Sequence, residues 1–121
     1  MQKKAKIKKY PLYLWIIINQ MKSIIFDQFV ELVSTNFAVN SNDLFNKRKK
    51  TRRISEARYA LYYLCHNRNI KPYLVRDYMK ERGFTVSFYN MQYGVNKMKS
   101  YYDTDPDYTK TLDVIGSSIN L

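Results

Sequence analysis

The sequence predicts an all-α fold, a compact bundle of about five to six helices, and three observations lead there. Apolar residues recur at three- and four-residue spacing in several separate stretches, as one face of a helix requires. No segment alternates strongly between apolar and polar residues, apart from the short and ambiguous run at 84–88. Helix boundaries are marked by Ser, Thr or Asp at starts, by Pro at first positions and by Gly at an end. At 121 residues, 45% of them hydrophobic, the chain suits one domain with a single modest core and shows no internal repeat.

The order of elements follows from these signals. Residues 1–22 read as a basic arm and an extra N-terminal helix, with residues 23–121 as the domain proper. Pro11 suits a helix start, where its missing N–H would be unpaired in any case. The apolar run at 12–18 is seven residues long, too short to span a bilayer, which takes ~20, and no small-x-small cleavage site follows it. Two readings of residues 10–21 stay open. Residues 12–21 pack on the domain as an extra helix behind a flexible arm at 3–9, or residues 10–21 lie at a membrane interface with lysines on lipid head groups and Trp15 in the acyl boundary. Residues 23–37 form the clearest amphipathic helix, with Ile25, Phe29, Val33 and Phe37 four apart and Phe26, Val30 and Leu32 widening the stripe. The polar cluster at 38–43 breaks it, and Ser41 or Asn42 can cap a short turn at 43–46.

A basic loop, KRKKTRR at 47–53, comes next. The helix at 54–67 starts from a boundary at Thr51 or Arg53 and buries Ile54, Ala57, Ala60, Leu61, Leu64 and Cys65. A short helix opening at Pro72 buries Leu74, Val75, Tyr78 and Met79, and Gly83 closes it in a left-handed conformation. Ser87 caps the helix over 87–102, whose core stripe is Phe88, Met91, Val95, Met98 and Tyr102. Its other side carries Tyr89, Asn90, Tyr93, Asn96, Lys97 and Ser100, with no acid. Helix, Gly turn and capped helix in this order is the helix-turn-helix arrangement. Asp105 and Pro106 start a last helix with Tyr108, Leu112, Ile115 and Ile119 on its stripe.

Charge narrows the function. The net charge is +11 and the pI is near 9.7, which favours a polyanionic partner. It is unevenly spread: residues 46–58 carry seven Lys or Arg against Glu56, whereas 103–121 carry four Asp against Lys110. That asymmetry points to an oriented binding face. Neither Gly-rich phosphate loop occurs, and the single Cys65 and single His66 stand side by side, so no enzyme, cofactor or metal site is expected.

On these residues, 43–115 resembles the C-terminal DNA-binding domain (domain IV) of the bacterial replication initiator DnaA, a Trp-repressor-like helix-turn-helix. The matching parts are an amphipathic helix at 26–37, Asp43-Leu44, the basic loop 47–53, an "AR" helix at 57–67, the helix 72–82, Gly83 and the helix 86–99. The reading motif departs: the family has Arg-Asp-His-Thr-Thr-Val where this chain has Val86-Ser87-Phe88-Tyr89-Asn90-Met91. The resemblance therefore implies the fold and double-stranded DNA binding, but not the family's usual target. The family's ATPase domain is absent from this sequence, which suits a detached reader such as a phage or mobile element would carry.

The resemblance implies that Lys50, with Arg52 beside it, enters the minor groove, and that Arg58 holds the DNA. Physically, Arg and Lys are drawn to the negative potential of a narrow A·T-rich minor groove. Lys47, Arg48, Lys49 and Arg53 suit phosphates, which supply affinity without sequence information. On the recognition helix Asn90 is placed for a bidentate adenine contact, Tyr89 and Tyr93 for thymine methyls or phosphates, and Lys97 and Ser87 for the backbone. The expected role is replication initiation, its regulation or transcription control, in the cytoplasm on the nucleoid. The competing reading is an interaction or inhibitory module that binds a replication protein through Tyr59, Tyr62, Tyr63 and Tyr89.

Overall fold

The chain is all-α in the computed structural model, which describes residues 11–119. Five helices and one 3-10 turn follow in order, with no strand among the described residues: α1 (Leu12–Asn36), the turn Ser41–Phe45, α2 (Arg52–Asn67), α3 (Pro72–Glu81), α4 (Phe88–Thr104) and α5 (Pro106–Ser117). No helix among them is long and apolar enough to cross a membrane.

Helix starts lie where local chemistry puts them. Thr51 Oγ1 accepts from the Ile54 N–H, Ser87 Oγ from the Asn90 N–H and the Asp105 carboxylate from the Asp107 N–H, so each cap satisfies a donor that the helix cannot. Pro106 occupies the first turn of α5. Gly83, at φ +91°, closes α3 in a backbone region that a side chain would strain. The 3-10 turn is capped by Asn40, which accepts from the Asn42 N–H, rather than by Ser41 or Asn42.

α2 is the central helix, touching every other helix and the 3-10 turn, and nine of its sixteen residues are buried. Ala57, Ala60, Leu61 and Cys65 are fully enclosed, and around them close Phe26, Phe29 and Val33 of α1, Leu44, Met79, Met98 and Ile115. Each large apolar side chain so removed from water contributes ~1.5–3 kcal/mol. Burial pushes the Cys65 thiol well above its ordinary pKa, which suits a core residue and not a nucleophile.

Several expectations need correction. The extra N-terminal helix and the helix from Ser23 are one continuous helix. Residues 19–23 contain neither Gly nor Pro, and the Asn19 amide bonds back to the Trp15 carbonyl. The first turns of α1 also do not pack down on the domain: Leu12, Tyr13, Trp15, Ile16 and Ile17 are exposed, while residues 3–10 lie outside the described part. Phe88 is not a core residue. Val86, two residues earlier, fills that core position, and the Phe88 ring turns outward under the Arg76 guanidinium, 4.5 Å from its centroid. Tyr62 and Tyr63 are buried and Tyr59 is half-buried, because α2 is wrapped by its neighbours. Leu74 is half-buried and Tyr102 lies at the core edge, its hydroxyl donating to Asp113.

Gly94 sets the approach of α4 to α2. A Cβ there would stand 2.6 Å from Cδ1 of Tyr59 and 3.1 Å from Cδ2 of Tyr62. Alanine would gain ~1 kcal/mol of helix propensity but must displace the base of the Tyr59 ring, an overpacking cost of ~1–3 kcal/mol. Gly94→Ala is therefore expected to lower stability by about 1 kcal/mol net, read as a lower urea midpoint at unchanged slope. Unaltered or raised stability would show that α4 can retreat from α2 freely.

Candidate nucleic-acid interface

The basic loop is exposed and also firmly held. Lys47, Arg48, Lys49, Lys50, Arg52 and Arg53 all reach solvent. A turn on Asn46 shapes the loop: its side-chain oxygen accepts from the Arg48 N–H and its carbonyl from the Lys49 N–H. Arg52 leans on Glu56 at 3.1 Å, and Glu56 is in turn fixed by the Tyr108 hydroxyl at 2.6 Å.

Arg58 corrects the sequence reading most. It does not face outward to hold DNA; it is 7% exposed, and four of its N–H groups are spent inside the protein. Nε donates to the Leu44 carbonyl at 2.8 Å and Nη1 to Lys49 at 2.9 Å, while Nη2 donates to Asp43 at 3.0 Å and to Asn46 at 2.8 Å. Burial pulls its pKa down, yet a guanidinium stays charged, so these are charge-assisted bonds. The same group lies 4.4 Å from the centroid of the Phe84 ring, in the segment leading into α4. One buried arginine thereby ties the basic loop to the approach of α4.

The outward face of α4 carries Tyr89, Asn90, Tyr93, Asn96 and Ser100 in solvent, with Lys97 half-buried. No acid occurs between Phe88 and Tyr102. Tyr93 meets Tyr59 edge-on at 5.7 Å between centroids, and Lys97 Nζ lies 5.9 Å from the Tyr93 ring and 5.8 Å from the Tyr101 ring. These contacts hold Tyr93 and Lys97 in place, whereas Tyr89, at 79% exposure, projects freely.

The loop and the α4 face meet. A cleft of about 460 Å³ between them is lined by Lys50, Tyr59, Thr85, Tyr89, Asn90 and Tyr93 among others. The first turns of α2 and α4 contain no acid, so both N-terminal dipole ends are open to an anion. Of the expected site residues, Lys50, Tyr89, Asn90 and Tyr93 gather at this cleft, and Ser87 caps the helix beside it. Lys47, Arg48, Lys49, Arg52 and Arg53 are exposed in the same loop and its continuation into α2, and Lys97 stands on α4 one turn beyond Tyr93. Thr85 and Ser55 line the cleft as well and were not among the expected residues, because only the α2–α4 approach brings them there.

Fold and site together define an all-α bundle that sets a pinned basic loop against an acid-free helix face. No protein-family model matches the chain, and no curated protein or solved structure matches it.

Proposed function

We propose that the chain is a sequence-preferring double-stranded DNA-binding protein without enzymatic activity. The basic loop enters the minor groove through Lys50 and Arg52, while α4 reads the adjacent major groove. The observation that carries this reading is the shared cleft, where Lys50 of the exposed basic loop lies beside the polar, aromatic face of α4. A major groove ~12 Å wide admits such a helix, and α4 at seventeen residues is ~25 Å long, enough to cross it. Lys47, Arg48, Lys49 and Arg53 supply phosphate contacts, as do Lys97 and the open N-terminus of α4. A role on the nucleoid in replication initiation, its regulation or transcription control accords with the DnaA resemblance.

Selection from a pool of random duplexes tests this reading. The wild-type chain should enrich a motif, and Asn90→Ala should relax one position of it at a cost of about 1–3 kcal/mol of discrimination, the worth of one bidentate base contact. Retention of duplex with no enriched motif would reduce the protein to a non-specific DNA coat. No retention would end the DNA reading.

One observation favours a second reading, in which the chain binds a replication or regulatory protein. A groove of about 510 Å³ beside the cleft is lined largely by apolar side chains, and Tyr73, Phe88 and Tyr89 stand exposed along it. With Tyr62 and Tyr63 buried, this groove rather than a tyrosine patch on α2 would seat that partner.

A further inference from the structure

The cleft between the basic loop and α4 is concave, whereas a helix that fills a major groove presents a convex face to it. Its volume of about 460 Å³ is that of a site for one small ligand, for which ~300–1,000 Å³ is usual. Tyr59, Phe84 and Tyr93 give it ring walls, and the edge-on contact of Tyr59 with Tyr93 fixes two of them. Lys50, Ser55, Thr85 and Asn90 stand among these rings, each exposed or half-buried, and no acid lines the cleft. Within the described residues no hydrogen bond or ion pair takes up any of these four side chains. Nearby cations are spent by contrast, Arg52 on Glu56 and Arg58 on four carbonyls. The Tyr89 ring, 79% exposed, likewise meets no other ring and no cation among the described residues.

We propose that the cleft takes one unpaired base of a DNA strand. A nucleobase has two flat apolar faces and a polar edge, and the cleft offers partners for both. The unengaged Tyr89 ring stacks on a face, while the Asn90 amide and the Ser55 and Thr85 hydroxyls meet the edge. Lys50 holds the phosphate beside that base. A phosphate does not take the base's place inside, because it would give up its hydration against ring walls that return no hydrogen bond. The base comes from an open strand or is extruded from a duplex, and an unpaired base costs least to unstack. Holding it does not require that α4 reads paired sequence, so this inference goes beyond the duplex reading and stands or falls apart from it.

Fluorescence anisotropy of the full chain at one salt concentration tests the proposal on three matched duplexes: fully paired, with a single bulged thymine, and with an abasic bulge. The abasic bulge keeps the backbone and phosphates of the other but lacks the base. The wild type should bind the thymine bulge about 5- to 140-fold more tightly than the abasic one, the worth of one stacked base. Tyr89→Ala should bring that ratio close to one, and Tyr89→Phe should keep it, since the ring and not the hydroxyl stacks. Tyr89 lies outside the core, so an unchanged far-UV circular dichroism spectrum is expected of both variants. Where the preference holds, an oligothymidine strand separates the sources. Binding as tight as that of the thymine bulge assigns an open strand, and weaker binding assigns a base extruded from a duplex. Equal affinity for the two bulges overturns the proposal, as does a preference that Tyr89→Ala leaves intact. A preference for the thymine bulge without retention of the paired duplex supports it and ends the duplex reading, whereas retention of the paired duplex with equal bulges does the reverse.

Discussion

Replacing Arg58 with alanine is expected to cost about 3–5 kcal/mol, the range found when one partner of a buried charged network is removed. The guanidinium donates to four carbonyls, those of Asp43, Leu44, Asn46 and Lys49, none of which belongs to its own helix. Hydrogen bonds to a charged group are worth ~1.5–3 kcal/mol each, and each carbonyl left buried without a donor adds a desolvation penalty. Some carbonyls will find water once the side chain is gone, so the sum overstates the loss. Arg58→Lys should recover little, because an ammonium lacks the planar fork that reaches four acceptors at once. The loss would be read as a lower urea midpoint, with faster amide exchange at Arg48 and Lys49, whose N–H groups bond to Asn46. A cost below about 1 kcal/mol, typical of an exposed side chain, would contradict the pinning of the loop.

The second large effect is on DNA binding through salt. With ~6 phosphate contacts, affinity should fall about 10³-fold between 50 and 200 mM salt as counterions return to the duplex. Lys47→Ala/Lys49→Ala/Lys50→Ala removes three exposed cations and should flatten the slope of log K against log salt by about 2.7, leaving roughly a 40-fold loss over the same range. None of the three side chains is buried, so the fold should survive and the effect should be confined to binding. Fluorescence anisotropy on one duplex across a salt series reads both slopes. A shallow wild-type slope would point instead to the apolar groove around Tyr73 and Phe88.

Elements that local chemistry decides were legible in the sequence. Thr51, Ser87 and Asp105 each declare a helix start by a side-chain oxygen that bonds a first-turn amide, and Gly83 declares an end by its positive φ. The stripes of α2 and α5 follow from spacing alone, as buried Ala57, Leu61, Leu112 and Ile115 show. What depends on packing between distant segments was not legible. Arg58 sits among exposed cations in the sequence, and its acceptors lie nine to fifteen residues away, so nothing local separates it from Arg52 or Arg53. Tyr62 and Tyr63 lie off the apolar stripe of α2 and become buried only because neighbours wrap that helix on several sides. Phe88 keeps the right spacing for the core, yet the chain has already filled that place with Val86. The cleft itself arises from the close approach at Gly94, a residue that in sequence reads only as a weak point in a helix.

The central claim is that the basic loop and the face of α4 act as one surface for duplex DNA. Backbone amide chemical shifts of the full chain, followed as a duplex is added at 50 mM salt, a range where phosphate contacts are strong, test it most directly. The shifts should move together over residues 47–53 and 87–97, at one stoichiometry and with one affinity, while α5 with Asp107 and Asp113 stays still. Shifts confined to the groove around Tyr73 and Phe88, or none at all, would contradict it.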